Sequence, residues 1–394
     1  MPFHLDDLAL FCRIAVLGSL SAAARERDIP VSQVTRSLNR LETACGARLM
    51  HRTTHGLSLT DEGDTLLAHG QDMLSMADVL GAELQVRQGQ PSGWVRVGVS
   101  ASVAEAVIAP SLPGLYALYP LLHIDIVVDD RLADMARDGI ADFSYVNPGY
   151  QPGRFPIFAA TSLPFMITNA KAGSAAVDAW YRNYAAKEMK EVHFCFAFVH
   201  DPGAFHSRKK IVSPTDIKGM KVRPATATVG QVITMLGGTN VQASAPESRD
   251  MLERGVADAI TFPWNSLISF NIDKAVKNHT DMRLYAAAFT WVMNPGWYNK
   301  LGAAQKKVMD DHCSNDWAGK VGAAWGDDED LGQGKLEKQG HNIVKLTGSQ
   351  LDAWKKAVEP VNAQWIDSVT KTGVNGQQVL NNLRQELKTR GAGQ

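Results

Sequence analysis

Between residues 32 and 40, Ser32, Thr35, Arg36, Asn39 and Arg40 recur at i, i+3, i+4, i+7 and i+8. That spacing lines hydroxyls, an amide and two guanidiniums along one face of a helix, while Val34, Leu38 and Leu41 line another. Such a helix can pack its apolar side on a scaffold and turn its polar side toward base edges and phosphates of double-stranded DNA. Just downstream, Arg52, Thr53 and Thr54 cluster near the tip of a predicted hairpin. They offer charge and hydroxyl donors suited to phosphate contacts, which carry no sequence readout.

A second chemistry lies far along the chain. Arg223 ends a predicted strand, Lys221-Val222-Arg223, and an arginine there can fork onto a carboxylate with two charge-assisted hydrogen bonds. The competing reading is a surface ion pair with Asp216 or Glu247. Residues 259–265 read as another strand running into a cleft, where Phe262 and Trp264 wall a ligand and Asn265 bonds it. Aromatic residues in such places serve the core about as often. His206 and Arg208 are weaker candidates, a lone histidine being more often a satisfied structural residue.

No arrangement for catalysis stands out: the chain has no nucleophile elbow, zinc-binding His-Glu-x-x-His pair, phosphate loop or dinucleotide fingerprint. No metal or other cofactor is implied. The run Asp327-Asp328-Glu329-Asp330 lacks calcium-loop spacing and reads as a solvated helix end. Cys12, Cys45, Cys195 and Cys313 give no spacing reason to pair, so reduced, buried thiols are expected.

Elements must position these groups. A helix ending at Gly18-Ser19, a short helix over 21–27, a turn at Asp28-Ile29-Pro30 and a helix from Ser32 to about Ala44 precede two short strands within 47–60. A long helix follows to about Arg87, with Leu66, Leu67, Met73, Leu74, Val79 and Leu80 as a stripe for pairing with a second copy. Residues 89–93 form a linker by composition. Strands at 94–99, 122–128 and from 141, with helices between, predict an open α/β lobe. The stretch 8–24 imitates a secretory signal, but Asp6 and Asp7 precede it and Arg13 interrupts it, so a helix and a cytoplasmic protein are expected. No apolar run is long enough for membrane insertion.

The segment LALFCRIAVLGSLSAAARERDIPVSQVTRSLNRLETACGARLMHRTTHGLSLTDEG resembles the winged helix-turn-helix of LysR-type transcriptional regulators over about ninety residues. The resemblance implies that Ser32, Gln33, Thr35, Arg36 and Arg40 face the major groove. It also implies that Arg52, Thr53 and Thr54 approach the backbone and that the 61–87 helix dimerises. Residues 93–142 resemble the opening of that family's effector domain, which would set the Ser100-Ala101-Ser102 turn, with Ser100 and Ser102, at the inducer cleft. From about residue 143, YVNPGYQPGRFPIFAATSLPF, GAFHSRKKIVSPTDIKGMKVRPATA and PESRDMLERGVADAITFPWNSL resemble TRAP-transporter solute-binding proteins. That resemblance implies a carboxylate-binding role for Arg223 and a two-lobed periplasmic-binding-protein fold. That family's first hundred or so residues, export signal included, would be replaced by the LysR-like segment.

Composition places the seam in the same region. Residues 1–142 hold 11 arginines, no lysine and 18 acids, whereas 143–394 hold 20 lysines, 9 arginines and 23 acids. Positive charge in the first part gathers in 25–55, with 6 arginines against 3 acids. The expected organisation is a winged helix-turn-helix (1–60), a linker and dimerisation helix (61–92) and a hybrid ligand-binding domain (93–394). The expected function is ligand-responsive DNA binding as a homodimer or tetramer, with a small organic acid as effector and DNA as partner. Two other readings fit the same residues: a solute-binding protein carrying an adventitious N-terminus, or a recombined reading frame without a working product.

Overall fold

The computed structural model describes residues 4–53, 56–86, 91–129 and 131–393. The chain divides into two compact units, one of residues 1–97, 105–127 and 138–142, the other of 98–104, 128–137 and 143–394.

In the first unit, α1 (Leu5–Leu17) stops where Gly18 turns left-handed at φ 61°, and α2 (Leu20–Glu26) starts on the Ser19 hydroxyl, which accepts from the Ala22 N–H. α3 (Val31–Cys45) ends at Gly46, again at positive φ. β1 (Met50–Thr53) and β2 (Gly56–Leu59) form an antiparallel hairpin with Met50 opposite Leu59, and the Leu57 N–H donates to the Gly18 carbonyl. Leu8, Phe11 and Ile14 of α1 join Val34, Leu38 and Leu41 of α3 in one core. The signal-like stretch is therefore a folded helix pair, and among the described residues no single helix is long and apolar enough to cross a membrane.

The long helix α4 (Asp61–Val86) opens on three acids, as the helix dipole favours. Its expected pairing stripe is divided. Leu66, Leu67 and Leu74 pack on this unit's own core, while Met73, Met76 and Leu80 remain exposed. Of the expected linker, Ser92 and Gly93 open β3 (Ser92–Val99), and residues 89 and 90 lie outside the described residues. The short turn α5 (Ala101–Val103) passes through a π-helical turn (Ala104–Ile108) into α6 (Ala109–Leu118). Pro113 lies inside α6, where it has no N–H to give. β4 (Leu121–Val128) lies beside β3. α7 (Leu132–Arg137) follows in the second unit.

The second unit is built on two sheets. In one, β5 (Phe143–Val146) and β6 (His193–Val199) flank β12 (Ala288–Met293), all antiparallel, with Tyr145 opposite Trp291. α8 (Ala170–Glu188), capped by Asn169, packs on β6. The other sheet comprises β7 (Gly203–Ser207), β8 (Lys221–Arg223), β9 (Thr239–Asn240), β10 (Ala259–Phe262), β11 (Asn278–Tyr285) and β13 (Asn342–Lys345). Its order is β13-β11-β7-β10-β8-β9. α9 (Ala227–Met235) follows β8 and starts on the Thr226 side chain, while α10 (Ser248–Glu253) precedes β10. α11 (Trp264–Ser269) begins two residues past β10, so Trp264 and Asn265 stand on a helix and not on the expected strand. Pro263 ends the strand, since it cannot extend a ladder.

Six further helices complete the unit: α12 (Pro295–Lys300), α13 (Ala303–His312), α14 (Asn315–Lys338), α15 (Gly348–Val358), α16 (Pro360–Thr370) and α17 (Gly376–Thr389). α14 passes so close to α11 that a Cβ at Gly332 would lie 2.2 Å from the Asn265 nitrogen. The acidic run lies within α14 and not at its end; Asp327, Asp328 and Asp330 are exposed as expected, whereas Glu329 is buried. Glu329 accepts the N–H groups of Asn265 and Ser266 and the indole N–H of Trp325. Trp354 and Trp365 are buried packing residues whose indoles donate to the carbonyls of Val212 and Pro156.

Candidate functional sites

On α3, Ser32, Gln33, Arg36, Asn39 and Arg40 are exposed and Thr35 is half-buried, so one face carries the predicted donors. Arg36 Nε donates to the Ser32 carbonyl at 3.2 Å, and the Thr35 hydroxyl donates back to Val31 at 3.0 Å. Arg40 is engaged differently. It forks onto Asp7 of α1, with Nε–Oδ2 at 3.0 Å and Nη2–Oδ1 at 2.5 Å, and the Ser37 hydroxyl donates to the same carboxylate. Asp7 is buried, and the Arg40 hydrogen bond holds its carboxyl below the ordinary range. Arg40 therefore fastens α3 to α1 while its side chain stays 60% exposed. Arg52 and Thr53 stand on β1, and Thr54 lies outside the described residues.

In the second unit, the β8 strand delivers Arg223 to a position where only 1% of it meets solvent. Its Nε donates to the Ala243 carbonyl at 3.0 Å, Nη2 points to the Tyr150 hydroxyl at 3.4 Å, and the guanidinium lies 5.6 Å from the Phe262 ring centroid. Neither alternative partner bonds it, although the charge of Arg223 helps to lower the Glu247 carboxyl. Asp216 instead accepts the N–H groups of Val212 and Ser213, and Glu247 accepts the N–H and the hydroxyl of Ser244. Among the described residues no carboxylate pairs with Arg223. A buried cation lacking a counter-charge is costly unless something supplies one.

The other predicted ligand residues divide. Phe262 is buried on β10 against Phe270 and Arg223. Trp264 is buried with its ring meeting His206 edge-on at 5.2 Å. Asn265 is fully spent: its Nδ2 donates to Asp328 at 2.6 Å and its Oδ1 accepts from Lys335 at 2.8 Å. Ser100 directly precedes α5 and Ser102 stands on it.

His206 belongs to a buried chain. Its Nε2 donates to the Phe262 carbonyl at 2.9 Å, which leaves Nδ1 to accept from His279 Nδ1 at 2.8 Å. His279 Nε2 then accepts from His341 Nδ1 at 2.8 Å, and His341 Nε2 from the Lys277 ammonium at 2.7 Å. One direction of donation satisfies all four bonds with neutral rings. Burial depresses His206 to about 4 and His279 to about 2, the charges of His206, His341 and Lys277 assisting in the latter.

Sequence reasoning passed over Tyr150 and Tyr285 near Arg223, and over Tyr145 near Tyr150. Tyr150 bonds the guanidinium, Tyr285 lies in its field, and Tyr145 stacks on Phe289 at 5.2 Å. Gly149 and Gln151, either side of Tyr150, line a cavity of about 50 Å³ with Phe158, Thr161, Thr226 and Thr228. Their contributions come from β5, β11 and a loop, so no local spacing announces them. The cysteine expectation also changes: Cys195 and Cys313 form a disulfide across 118 residues, and Arg182 Nη2 donates to both their carbonyls. Cys12 and Cys45 remain free.

Comparison with known proteins bears on both units. Residues 5–64 match the bacterial regulatory helix-turn-helix family of LysR type, and residues 124–368 match the bacterial extracellular solute-binding protein family 7. The probable HTH-type transcriptional regulator LtrA of Klebsiella pneumoniae is 38% identical over 136 residues, 34% of this chain and 44% of LtrA. The chain thus spans less than half the length of that curated relative. A marine-metagenome TRAP solute-binding protein specific for aromatic acid ligands, solved with 3-hydroxybenzoate, is 28% identical with a TM-score of 0.70, covering 76% of this chain and 99% of that one. A TRAP solute-binding protein from Rhodoferax ferrireducens T118, solved with copurified benzoate, shares the fold at 24% identity and a TM-score of 0.70, with the same coverage. The chain belongs to the bacterial extracellular solute-binding protein family 7 and carries a LysR-type helix-turn-helix at its N-terminus.

Proposed function

We propose that this protein is a cytoplasmic DNA-binding transcription regulator whose TRAP-type domain senses a small aromatic carboxylate. Residues 1–60 would hold the winged helix-turn-helix, 61–92 the dimerisation helix and 93–394 the ligand-binding domain. The observation that carries the sensor half is Arg223, a buried guanidinium with no carboxylate partner among the described residues. A ligand carboxylate would supply the missing charge through paired hydrogen bonds. The aromatic-acid specificity of a 28% identical neighbour, together with Phe262 beside Arg223, favours an aromatic acid.

On the DNA side, the exposed donors of α3 would enter the major groove and Arg52, Thr53 and Thr54 would meet phosphates. The exposed Met73, Met76 and Leu80 on α4 would pair two copies into a dimer, or four into a tetramer. Ligand would change DNA binding only by favouring one of two conformations. The test is a selection from random double-stranded DNA with the full chain, repeated with benzoate. Unchanged binding by Arg36→Ala plus Arg40→Ala would sink the DNA half, and unchanged benzoate affinity in Arg223→Gln the sensor half.

The Cys195–Cys313 disulfide favours a second reading, because such bonds persist in oxidising compartments. In that reading the protein is a solute-binding component working outside the cytoplasm. Cell fractionation separates the two.

A further inference from the structure

Among the described residues, five buried side-chain atoms lack a hydrogen-bond partner: Ser92 Oγ, Ser144 Oγ, Asp273 Oδ1, Asn362 Oδ1 and the Tyr285 hydroxyl. Such atoms are rare in folded proteins, and each calls for an explanation. Tyr285 is the one that sits in the field of Arg223. It ends β11 directly opposite Gly203 of β7. A Cβ on Gly203 would lie 2.6 Å from the Tyr285 ring and 2.8 Å from the Phe262 carbonyl, so glycine makes the room in which this ring lies.

We infer that Tyr285 is a second anion donor of the ligand site, so that guanidinium and phenol together select a carboxylate. This rests on the reading of Arg223 given above. Arg223 has five N–H donors, of which one serves Ala243 and another points to Tyr150, leaving three for a ligand. The Tyr285 phenol adds one more. Burial raises its pKa, so it keeps its proton and donates.

Neighbours offer that proton little. The hydroxyl of Thr261 accepts the Ala225 N–H at 2.9 Å and acts on the phenol oxygen as a donor, which leaves the phenol's own proton unused. His200 meets the Tyr285 ring edge-on at 5.5 Å, with its Nε2 taken by the Ala287 N–H at 3.0 Å. A carboxylate is an acceptor-only group with about four lone-pair positions, so it satisfies all these donors at once. A primary amide of the same shape would present its own N–H groups to them and be rejected. The ring that carries the carboxylate would lie toward Phe262, which already faces the guanidinium.

The test compares wild type, Tyr285→Phe and Arg223→Gln by calorimetric titration with benzoate, 3-hydroxybenzoate, mandelate and benzamide, alongside thermal melting without ligand. A hydroxyl whose proton goes unused in the free protein is lost at little cost, so Tyr285→Phe should melt within about a degree or two of wild type or above it. Its benzoate affinity should fall about tenfold or more, the value of one hydrogen bond to a charged group. Wild type should bind benzamide at least as much more weakly. Tyr285→Phe binding benzoate as wild type does, while Arg223→Gln loses it, overturns the role of Tyr285 and leaves the sensor reading standing. Free Tyr285→Phe melting earlier than that margin also overturns it, by showing a structural bond. Wild type binding none of the three acids removes both.

Discussion

Arg40, one of the residues of α3 proposed to face DNA, spends its Nε and one Nη on the buried carboxylate of Asp7 in α1. The same side chain thereby locks α3 to α1 and still shows an exposed cationic edge. Among the described residues Arg36, one turn earlier, bonds only a carbonyl within its own helix. Arg40→Ala should therefore lower both the melting temperature of the first unit and its DNA affinity. Arg36→Ala should leave melting unchanged while reducing the slope of affinity against salt by about one counterion. The Asp7 carboxyl has a folded pKa below its ordinary 3.8, so its contribution is full above that value and lost as pH falls through the lower one. Arg40→Ala that melts like wild type would remove the structural role.

The chain Lys277–His341–His279–His206 requires neutral rings, since each imidazole both donates and accepts. His206 and His279 have folded pKa values of about 4 and about 2, below the ordinary 6.5. Below pH 6.5 the unfolded chain takes up protons that the folded chain refuses, so stability falls as pH drops from about 6.5 toward 4. The slope is at most about 1.4 kcal/mol per pH unit for each histidine. Denaturant unfolding at pH 7.5, 6 and 5 reads it directly. Flat stability across that range would mean the rings accept protons in place.

The disulfide has a consequence for compartment. Cys195 sits in β6 and Cys313 just after α13, so their bond closes a long loop and restrains the unfolded chain by about 2–4 kcal/mol. A cytoplasmic protein is held reduced and works without that contribution. Thiol trapping in cells should find both cysteines alkylated under the regulator reading. Full protection from alkylation in freshly lysed cells would favour the extracytoplasmic reading instead. In vitro, Cys313→Ser should melt where the reduced wild type does and below the oxidised protein.

What the sequence made legible follows from how local each signal is. The α3 face, its stop at Gly46, and Arg223 at the end of β8 rest on spacing within a dozen residues, and each expected element appears. Asp7 gave no such signal, because its partner lies 33 positions away. Tyr150 and Tyr285 approach Arg223 from 73 residues before it and 62 after, and the disulfide spans 118. Asn265 was misplaced for a physical reason: Pro263 turns the chain into a helix whose first N–H groups need Glu329, a carboxylate from the run assumed to be solvated. By sequence His206 stands alone, while the sheet pairs β7 with β11 and sets it beside His279.

The compositional seam makes its own prediction. Asp142, the last residue of the lysine-free segment, is buried and accepts from the Arg96 N–H at 2.8 Å, from Nε at 3.3 Å and from Nη2 at 2.6 Å. The next residue opens β5, where Phe143 lies opposite Met293 and stacks on Trp291 at 4.6 Å. The two sides of the seam thus each have their own anchor, one ionic and one aromatic. Asp142 is buried while 27% of the Arg96 side chain stays exposed, so removing the carboxylate costs less than the about 3–5 kcal/mol of a fully buried pair, and replacing both by apolar residues can cost little. Asp142→Ala should therefore destabilise the first unit, and Arg96→Met with Asp142→Leu should recover much of the loss. Trp291 is half-buried, so Trp291→Ala should instead loosen the second unit by less than the about 3 kcal/mol of a fully buried aromatic truncation. Denaturant unfolding that followed the fluorescence of Trp94 and of the later tryptophans separately would show which unit each variant weakens. If Asp142→Ala unfolded both together with no change in midpoint, the ionic anchor would have no part in holding the seam.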